Sequence, residues 1–258
     1  MKLRFYNWCR ANRFFRRAPV EFEYGKFSLD ILDFVQHEMF LRGCYEPETF
    51  SLFNSLIRPG DCVVDIGANI GQYAVAAANK VQSSGRVIAV EPNPIVCAAL
   101  IENARLNSAA RSIEIVTSAM ARDEDYLTFR IPQAHDMGTT RPCGGGERDT
   151  FTTRATPLST LLNDLKASQI HVMKIDTEGQ DFEIIASLFE RSNFRPRNLI
   201  FEYISQAFDY GIAPDDLALY FRGHGYALKT VGGNPYEPCA MLVEDNCWAE
   251  LASPSSVG

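Results

Sequence analysis

The stretch Val63-Val64-Asp65-Ile66-Gly67-Ala68-Asn69-Ile70-Gly71 decides how the rest of the chain is read. Val63 to Ile66 is a short apolar run broken only by Asp65, the pattern of a buried parallel strand. Pro59-Gly60-Asp61 just before it is a turn signal. Asp65 puts a carboxylate at the carboxyl end of that strand, and Gly67 and Gly71 bracket a tight turn. Gln72 to Val81 (QYAVAAANKV) is rich in Ala and predicts a helix. Strand, glycine turn and helix in that order form a crevice beyond the strand's carboxyl end, where open α/β sheets bind ligands.

A second strand, Arg86 to Val90, ends in Glu91-Pro92. It places an acid at the next strand tip, roughly 20 residues past the glycine turn, where such folds hydrogen-bond ribose hydroxyls. A dinucleotide site wants G-x-G-x-x-G, and the positions after Gly67 are Ala68, Asn69, Ile70 and Gly71, without the second and third glycines. No G-x-x-x-x-G-K-[ST] phosphate loop is present either. A ligand with a ribose and no phosphate fits better, and S-adenosyl-L-methionine is the expected cofactor. Asp65 could serve its ammonium, Glu91 its ribose. Gly67, Ala68, Asn69, Gly71 and Pro92 complete the expected cofactor loop. Ser118 and Ala119, after the third strand Ser112 to Val116, could line the adenine.

At 258 residues the chain is long enough for one α/β domain with additions and a sizeable core. Hydrophobic content of 46% and charged content of 22% are ordinary for a globular protein. The formal net charge of -7 argues against broad nucleic-acid binding. No run of about 18 apolar residues marks a transmembrane helix, and the N-terminus lacks the apolar core of a signal peptide. The seven cysteines are scattered, with no C-x-x-C pair, which suits a reducing, cytoplasmic setting.

The first 20 residues carry Lys2, Arg4, Arg10, Arg13, Arg16 and Arg17 between aromatic residues and hold no acid. They read either as a basic helix packed on the domain or as a weak membrane-surface contact. Phe27 to Phe40 has helical spacing with Ser28 as a candidate cap, and Glu46-Pro47 opens a second helix to about Ile57. Tyr45 and Glu46, in the linker, could face the crevice. Ile95 to Leu106 is a helix, and Tyr126 to Ile131 reads as an antiparallel addition. Pro132 to Thr156 reads as a long functional loop that includes His135. Pro157 to Leu165 is a helix, His171 to Asp176 the fourth strand, Gln180 to Phe189 a helix, and Asn198 to Tyr203 the fifth strand, with Glu202 near its tip. Pro214 to Gly223 follows as a helix, then strands at Tyr226 to Val231 and Cys239 to Val243, and a flexible tail.

Five stretches together resemble the FkbM family of S-adenosylmethionine-dependent methyltransferases. They are FLRGCYEPETF (Phe40 to Phe50), RPGDCVVDIGANIGQYA (Arg58 to Ala74), VIAVEPNP (Val87 to Pro94), Asn103 with Leu106-Asn107, and MKIDTEGQDFEII (Met173 to Ile185). The resemblance runs from about residue 30 to about residue 205, and the glycine turn paired with the KIDTEG turn is its specific part. It implies a class I, Rossmann-like fold: a mostly parallel seven-stranded sheet with helices on both faces, here with an N-terminal helical extension. It also implies O-methylation of a hydroxyl on a sugar, glycan or polyketide-type acceptor. The T-L-D acid usual before the fourth strand is missing from Leu158-Ser159-Thr160-Leu161.

An alcohol is a poor nucleophile until its proton begins to leave, so the chemistry needs a base or orienter beside the methyl group. Asp176, at the fourth strand tip, is the leading candidate, and Glu178 the alternate. Lys174 could hold Asp176 ionised or bind an anionic substrate. Tyr45, Glu46 and Glu202 are the candidate substrate contacts. Asp176 could also cap the next helix, or share a divalent cation with Glu178 and Asp181, although no metal is expected. The domains expected are 1–57, a basic segment with covering helices; 58–250, the methyltransferase domain; and 251–258, a tail. The rival readings are a non-catalytic S-adenosylmethionine-binding protein and a nicotinamide-dependent oxidoreductase.

Overall fold

The computed structural model describes residues 17–131, 142–143, 149–204, 212–237 and 244–252. The chain enters as a hairpin, β1 (Arg17–Phe22) against β2 (Gly25–Asp30). Helices α1 (Phe34–Arg42) and α2 (Pro47–Leu56) follow. The hairpin corrects the start of the expected helix from Phe27 to Phe40 and adds two strands to the helical N-terminal extension. Phe27, Leu29 and Ile31 alternate with Ser28 and Asp30, and the alternating apolar face is buried. The helix starts only where Asp33, not Ser28, accepts the Gln36 N–H at 3.2 Å.

The next unit is β3 (Cys62–Ile66), α3 (Gln72–Val81), β4 (Arg86–Val90), α4 (Pro94–Arg105) and β5 (Ile113–Val116). Pro94 occupies the first turn of α4, and the Asn93 side chain caps it by accepting the Ile95 N–H. A small three-stranded sheet comes next: β6 (Ala119–Met120), β7 (Asp125–Arg130) and β8 (Thr150–Thr156), in the order β6-β8-β7. Its antiparallel β7–β8 pair matches the reading of Tyr126 to Ile131. The expected loop from Pro132 to Thr156 is corrected at its end, because Thr150–Thr156 is a strand. Most of that loop, with His135, lies outside the described residues.

Then come α5 (Leu158–Asp164), β9 (Val172–Ile175), α6 (Asp181–Arg191), β10 (Asn198–Ile204), α7 (Pro214–Gly223), β11 (Tyr226–Thr230) and β12 (Glu244–Leu251). The expected strand Cys239 to Val243 lies outside the described residues, and the observed closing strand follows it. Leu251, read as the start of a tail, ends that strand. Residues 1–16 and 253–258 also lie outside the described part.

The central sheet has seven strands in the order β11-β12-β10-β9-β3-β4-β5. From β10 to β5 neighbouring strands are parallel, and β12 runs antiparallel between β10 and β11. This is the mostly parallel sheet of the class I methyltransferase fold. Alternate residues of each strand face opposite helical layers. Val64, Ile66, Val90, Met173 and Ile175 pack with Leu162 of α5, Ile185 and Leu188 of α6 and Phe221 of α7. Val63, Val87, Ala89 and Val172 pack with Phe53 of α2 and the alanines of α3. Burial on both faces explains the near-continuous apolar runs, and truncating one such side chain costs about 2–5 kcal/mol. The chain runs from β3 to β4 and β5 on one side, and later returns to β9 on the other. The tips of β3, β4 and β9 therefore flank the point where strand order reverses, the place for a crevice.

Candidate active site

The loop after β3 is folded by backbone geometry. The Gly67 and Ala68 amides both donate to the Val90 carbonyl at 2.9 Å, fixing the turn against the tip of β4. Gly67 has φ +79, and a Cβ there would lie 1.8 Å from the Asp176 carbonyl oxygen. Glycine is therefore demanded by conformation and by the close approach of β9's tip. Asn69 takes a left-handed φ of 50, and its side-chain oxygen accepts the Ile70 amide at 2.7 Å. Gly71, with φ 96, caps α3, and a Cβ there would meet Leu100 at 2.5 Å.

Glu91 sits at the tip of β4 and is buried. Its Oε2 accepts the Asn69 amide and its Oε1 the Asn93 amide, each at 2.9 Å. Burial pushes its pKa up to about 7 against the pull of those amides. Each oxygen keeps a further lone pair. Ser118 and Ala119 come from the neighbouring strand end, and the Ser118 hydroxyl is turned to the Arg154 carbonyl at 2.9 Å.

Asp65, at the end of β3, is 1% exposed and is absent from the cavity wall, as is Gly71. Neither Asp65 oxygen makes a hydrogen bond among the described residues, although the Ala74 amide faces it and favours its charge. Burial raises its pKa to about 6, with Lys174 pulling down and Asp176 pushing up. Lys174 stands level with it on β9. Its Nζ donates to Asp176 Oδ2 at 2.7 Å and lies 4.5 Å from the centre of the Tyr73 ring. Burial works against the Lys174 charge, but Asp176, Glu46 and Asp65 outweigh it and hold its pKa above the ordinary lysine range.

Helix α6 begins at Asp181 after Gln180, without a side-chain cap, so Asp176 serves Lys174 and not the helix. Asp181 is committed elsewhere. Its Oδ1 accepts from the Thr177 amide at 2.8 Å, and its Oδ2 from the Glu202 amide at 3.0 Å. Burial, then Asp176, raises its pKa to about 6. It stitches the tips of β9 and β10 together, and no group of three or more His, Cys, Asp or Glu suited to a metal exists among the described residues. Glu178, at φ 58, bends the chain between them.

All of these tips open on one cavity of about 300 Å³. Its wall combines Gly67, Ala68, Asn69, Glu91, Pro92, Ser118 and Ala119 with Lys174, Asp176, Glu178, Glu202, Tyr45 and Glu46. The sequence reading missed Gln72 and Tyr73 of α3. The Gln72 amide holds Tyr45 by both backbone groups, at 2.7 and 3.0 Å. Tyr73 donates its hydroxyl to Glu46 Oε2 at 3.1 Å. Also missed were Phe34 and Met39 of α1 and Leu127 and Phe129 of β7, which close the cavity. An Ala-rich helix start gives little hint of Gln72, but a polar pair directly after a glycine turn is a usable signal. The contributions of α1 and β7 carry no local signal.

The family described as the methyltransferase FkbM domain matches residues 65–228. A relative from Streptomyces tacrolimicus, 31-O-demethyl-FK506 methyltransferase FkbM, is 27% identical over 226 residues, covering 76% of this chain and 82% of its own. Ribosomal protein L11 methyltransferase of Pelotomaculum thermopropionicum is 38% identical over 65 residues, which span 25% of this chain and only 20% of that protein. A solved Clostridium thermocellum protein named for rRNA methylation superposes with a TM-score of 0.50 at 9% identity, over 80% of this chain and 95% of that one, and the likeness concerns the fold alone. The glycine turn, the acid at the tip of β4 and the KIDTEG turn fall inside the matched stretch, and the chain belongs to the FkbM methyltransferase family.

Proposed function

We propose that this protein is an S-adenosylmethionine-dependent O-methyltransferase acting on a hydroxyl of a sugar, glycan or polyketide-type acceptor. The observation that carries it is one cavity whose wall holds both Glu91 and the Lys174–Asp176 pair. The residues present fit the donor. Glu91 can accept from two ribose hydroxyls, with Asn69, Pro92, Ser118 and Ala119 around the adenosine. The Gly67–Ala68 backbone meets the amino-acid end, and the buried Asp65 carboxylate beneath supplies negative potential for its ammonium. No lysine or arginine of the loop awaits a phosphate. A hydroxyl as the acceptor is also the chemistry that the name of the Streptomyces relative carries.

When bound, S-adenosylmethionine supplies a methyl group on a sulfonium, which is already an activated electrophile. The chain's own task is to orient a hydroxyl and receive its proton. Lys174 holds Asp176 by Oδ2; Oδ1 is left for the acceptor proton. Glu178 is the alternate, and Tyr45, Glu46 and Glu202 flank the acceptor. Within the proposed N-terminal segment of residues 1–57, the described part from Arg17 on, hairpin and α1 included, is read as a cover on a methyltransferase domain of residues 58–250. No helix among the described residues is long and apolar enough to cross a membrane. A cytoplasmic setting is part of the proposal, on the scattered cysteine pattern.

Calorimetric titration with S-adenosylmethionine and with NAD separates this reading from an oxidoreductase. Glu91→Ala should weaken the donor roughly 5- to 150-fold, the effect of leaving buried donors unpaired. Asp176→Asn should bind the donor normally and transfer methyl about 10²–10⁴-fold more slowly to any acceptor that gains one methyl in mass. Wild-type donor affinity in Glu91→Ala sinks the cofactor assignment. Wild-type turnover in Asp176→Asn, with Glu178→Gln inactive, exchanges the two roles.

A further inference from the structure

We propose that Tyr73 is a positioning residue for methyl transfer: its ring holds the Lys174 ammonium on Asp176, and its hydroxyl ties that pair to Glu46 of the cavity wall. This rests on the reading of Asp176 as the acceptor's base. An ammonium has three N–H donors, and one of those of Lys174 is on Asp176. The face of Tyr73, 4.5 Å away, is a second partner, at a side chain only 2% exposed. The ring is itself locked edge-on by Phe50 and Phe53, at 5.4 and 5.0 Å. It cannot swing off the ammonium without displacing α2.

The hydroxyl does a second job. It donates to Glu46 Oε2 at 3.1 Å, while Asn246 of β12 donates to Glu46 Oε1 at 3.0 Å. Glu46 has φ 49, a backbone state that a non-glycine residue holds only when its surroundings enforce it. Tyr73 and Asn246 do the enforcing, and Gln72 beside them fixes Tyr45. The first turn of α3 thus sets both the base and the Tyr45–Glu46 bend, and the chain Asn246–Glu46–Tyr73–Lys174–Asp176 joins them. Neither arm touches Glu91.

Ring and hydroxyl are separable by mutation. Tyr73→Phe keeps the ring over Lys174 and frees Glu46. It should leave kcat within about threefold and raise the acceptor KM several-fold. Tyr73→Leu removes both arms and should lower kcat by roughly 10- to 30-fold, the range of a desolvated cation–π contact, with the donor Kd unchanged. The Lys174 ε-methylene protons should show an upfield ring-current shift by NMR in the wild type and in Tyr73→Phe. They should return to the ordinary position in Tyr73→Leu. The proposal falls if the wild-type Lys174 signal is unshifted, if Tyr73→Leu keeps its kcat, or if Tyr73→Phe loses as much kcat as Tyr73→Leu. A merely structural role would lower thermal stability and donor affinity together in both variants. If the wild type methylates no acceptor, the proposed function fails by itself, while the Lys174 signal still judges the geometry.

Discussion

At the scale of single residues, Gly67 is the most constrained position of the site. The contact that excludes a side chain is with the protein itself, since a Cβ would run into the Asp176 carbonyl. A substitution there therefore disturbs the loop after β3 and the backbone of Asp176, the proposed donor seat and base, together. Gly67→Ala should destabilise the fold by more than about 2 kcal/mol, from left-handed backbone strain plus the collision, and should abolish donor binding. Urea denaturation and calorimetry on the same variant check this; normal donor binding would mean that the loop is not the donor's seat. Asp65, Glu91 and Lys174 show why residue type alone misleads. All three are charged side chains in a protein interior. Glu91 is held by two amides, Lys174 by a carboxylate and a ring, and Asp65 by the charge of Lys174 and the facing Ala74 amide.

At the scale of elements, Asn103 of α4 joins three parts of the chain. It is fully buried, donates from Nδ2 to the Ile70 carbonyl at 2.9 Å, and accepts the Ser28 amide on Oδ1 at 2.8 Å. Hairpin β1–β2 is thereby fastened to the loop after β3, and Asn107 repeats the fastening at both backbone groups of Lys26. Asn103→Ala would leave the buried Ile70 carbonyl unpaired, at a cost of about 1–3 kcal/mol, and the half-buried Ser28 amide unpaired as well. Its expected phenotype is a lower urea midpoint and a several-fold weaker donor, because Ile70 belongs to the cavity wall. A variant with wild-type donor affinity would show that the loop holds its shape without the hairpin. Asn103 stands out in the sequence only through the family resemblance, and its role became plain once β2 was a strand.

For the whole molecule, three buried carboxylates set a pH dependence. Asp65 and Asp181 are raised to about 6 and Glu91 to about 7, each by burial first. A carboxyl whose folded pKa lies above its unfolded value lends stability fully present below the unfolded value, about 4, and lost as pH rises through the folded one. The ligand-free protein should therefore lose stability from these groups between about pH 4 and 7, on the order of 2–3 kcal/mol per carboxylate. Glu91→Gln should flatten part of that slope in denaturant midpoints measured from pH 5 to 8. With Glu91 as the proposed ribose acceptor, the donor should bind more weakly as pH falls below about 7. An affinity that does not change between pH 5.5 and 8 would remove Glu91 from the donor site.

The strands β3, β4 and β9, the helix Gln72–Val81 and the acids at the strand tips were legible in the sequence, because each is a local pattern. Such patterns are apolar runs buried on two faces, an Ala-rich stretch after a glycine, and a carboxylate where a run ends. Hairpin β1–β2 was misread because the same apolar residues satisfy a helical and an alternating spacing, and only the surface they pack against chooses between them. Strand β12, with the polar sequence EDNCWAEL, is a strand because it is clasped by β10 and β11, pairings its own residues do not announce. The tertiary structure alone decided that Asp65 is buried away from the cavity wall, that Tyr73 packs on Lys174, and that Tyr73 and Asn246 meet on Glu46. Sequence records which groups the chain owns and their local periodicity. Which of them share a cavity depends on contacts between residues as far apart as Glu46 and Asn246, fixed only when the layers close on the sheet.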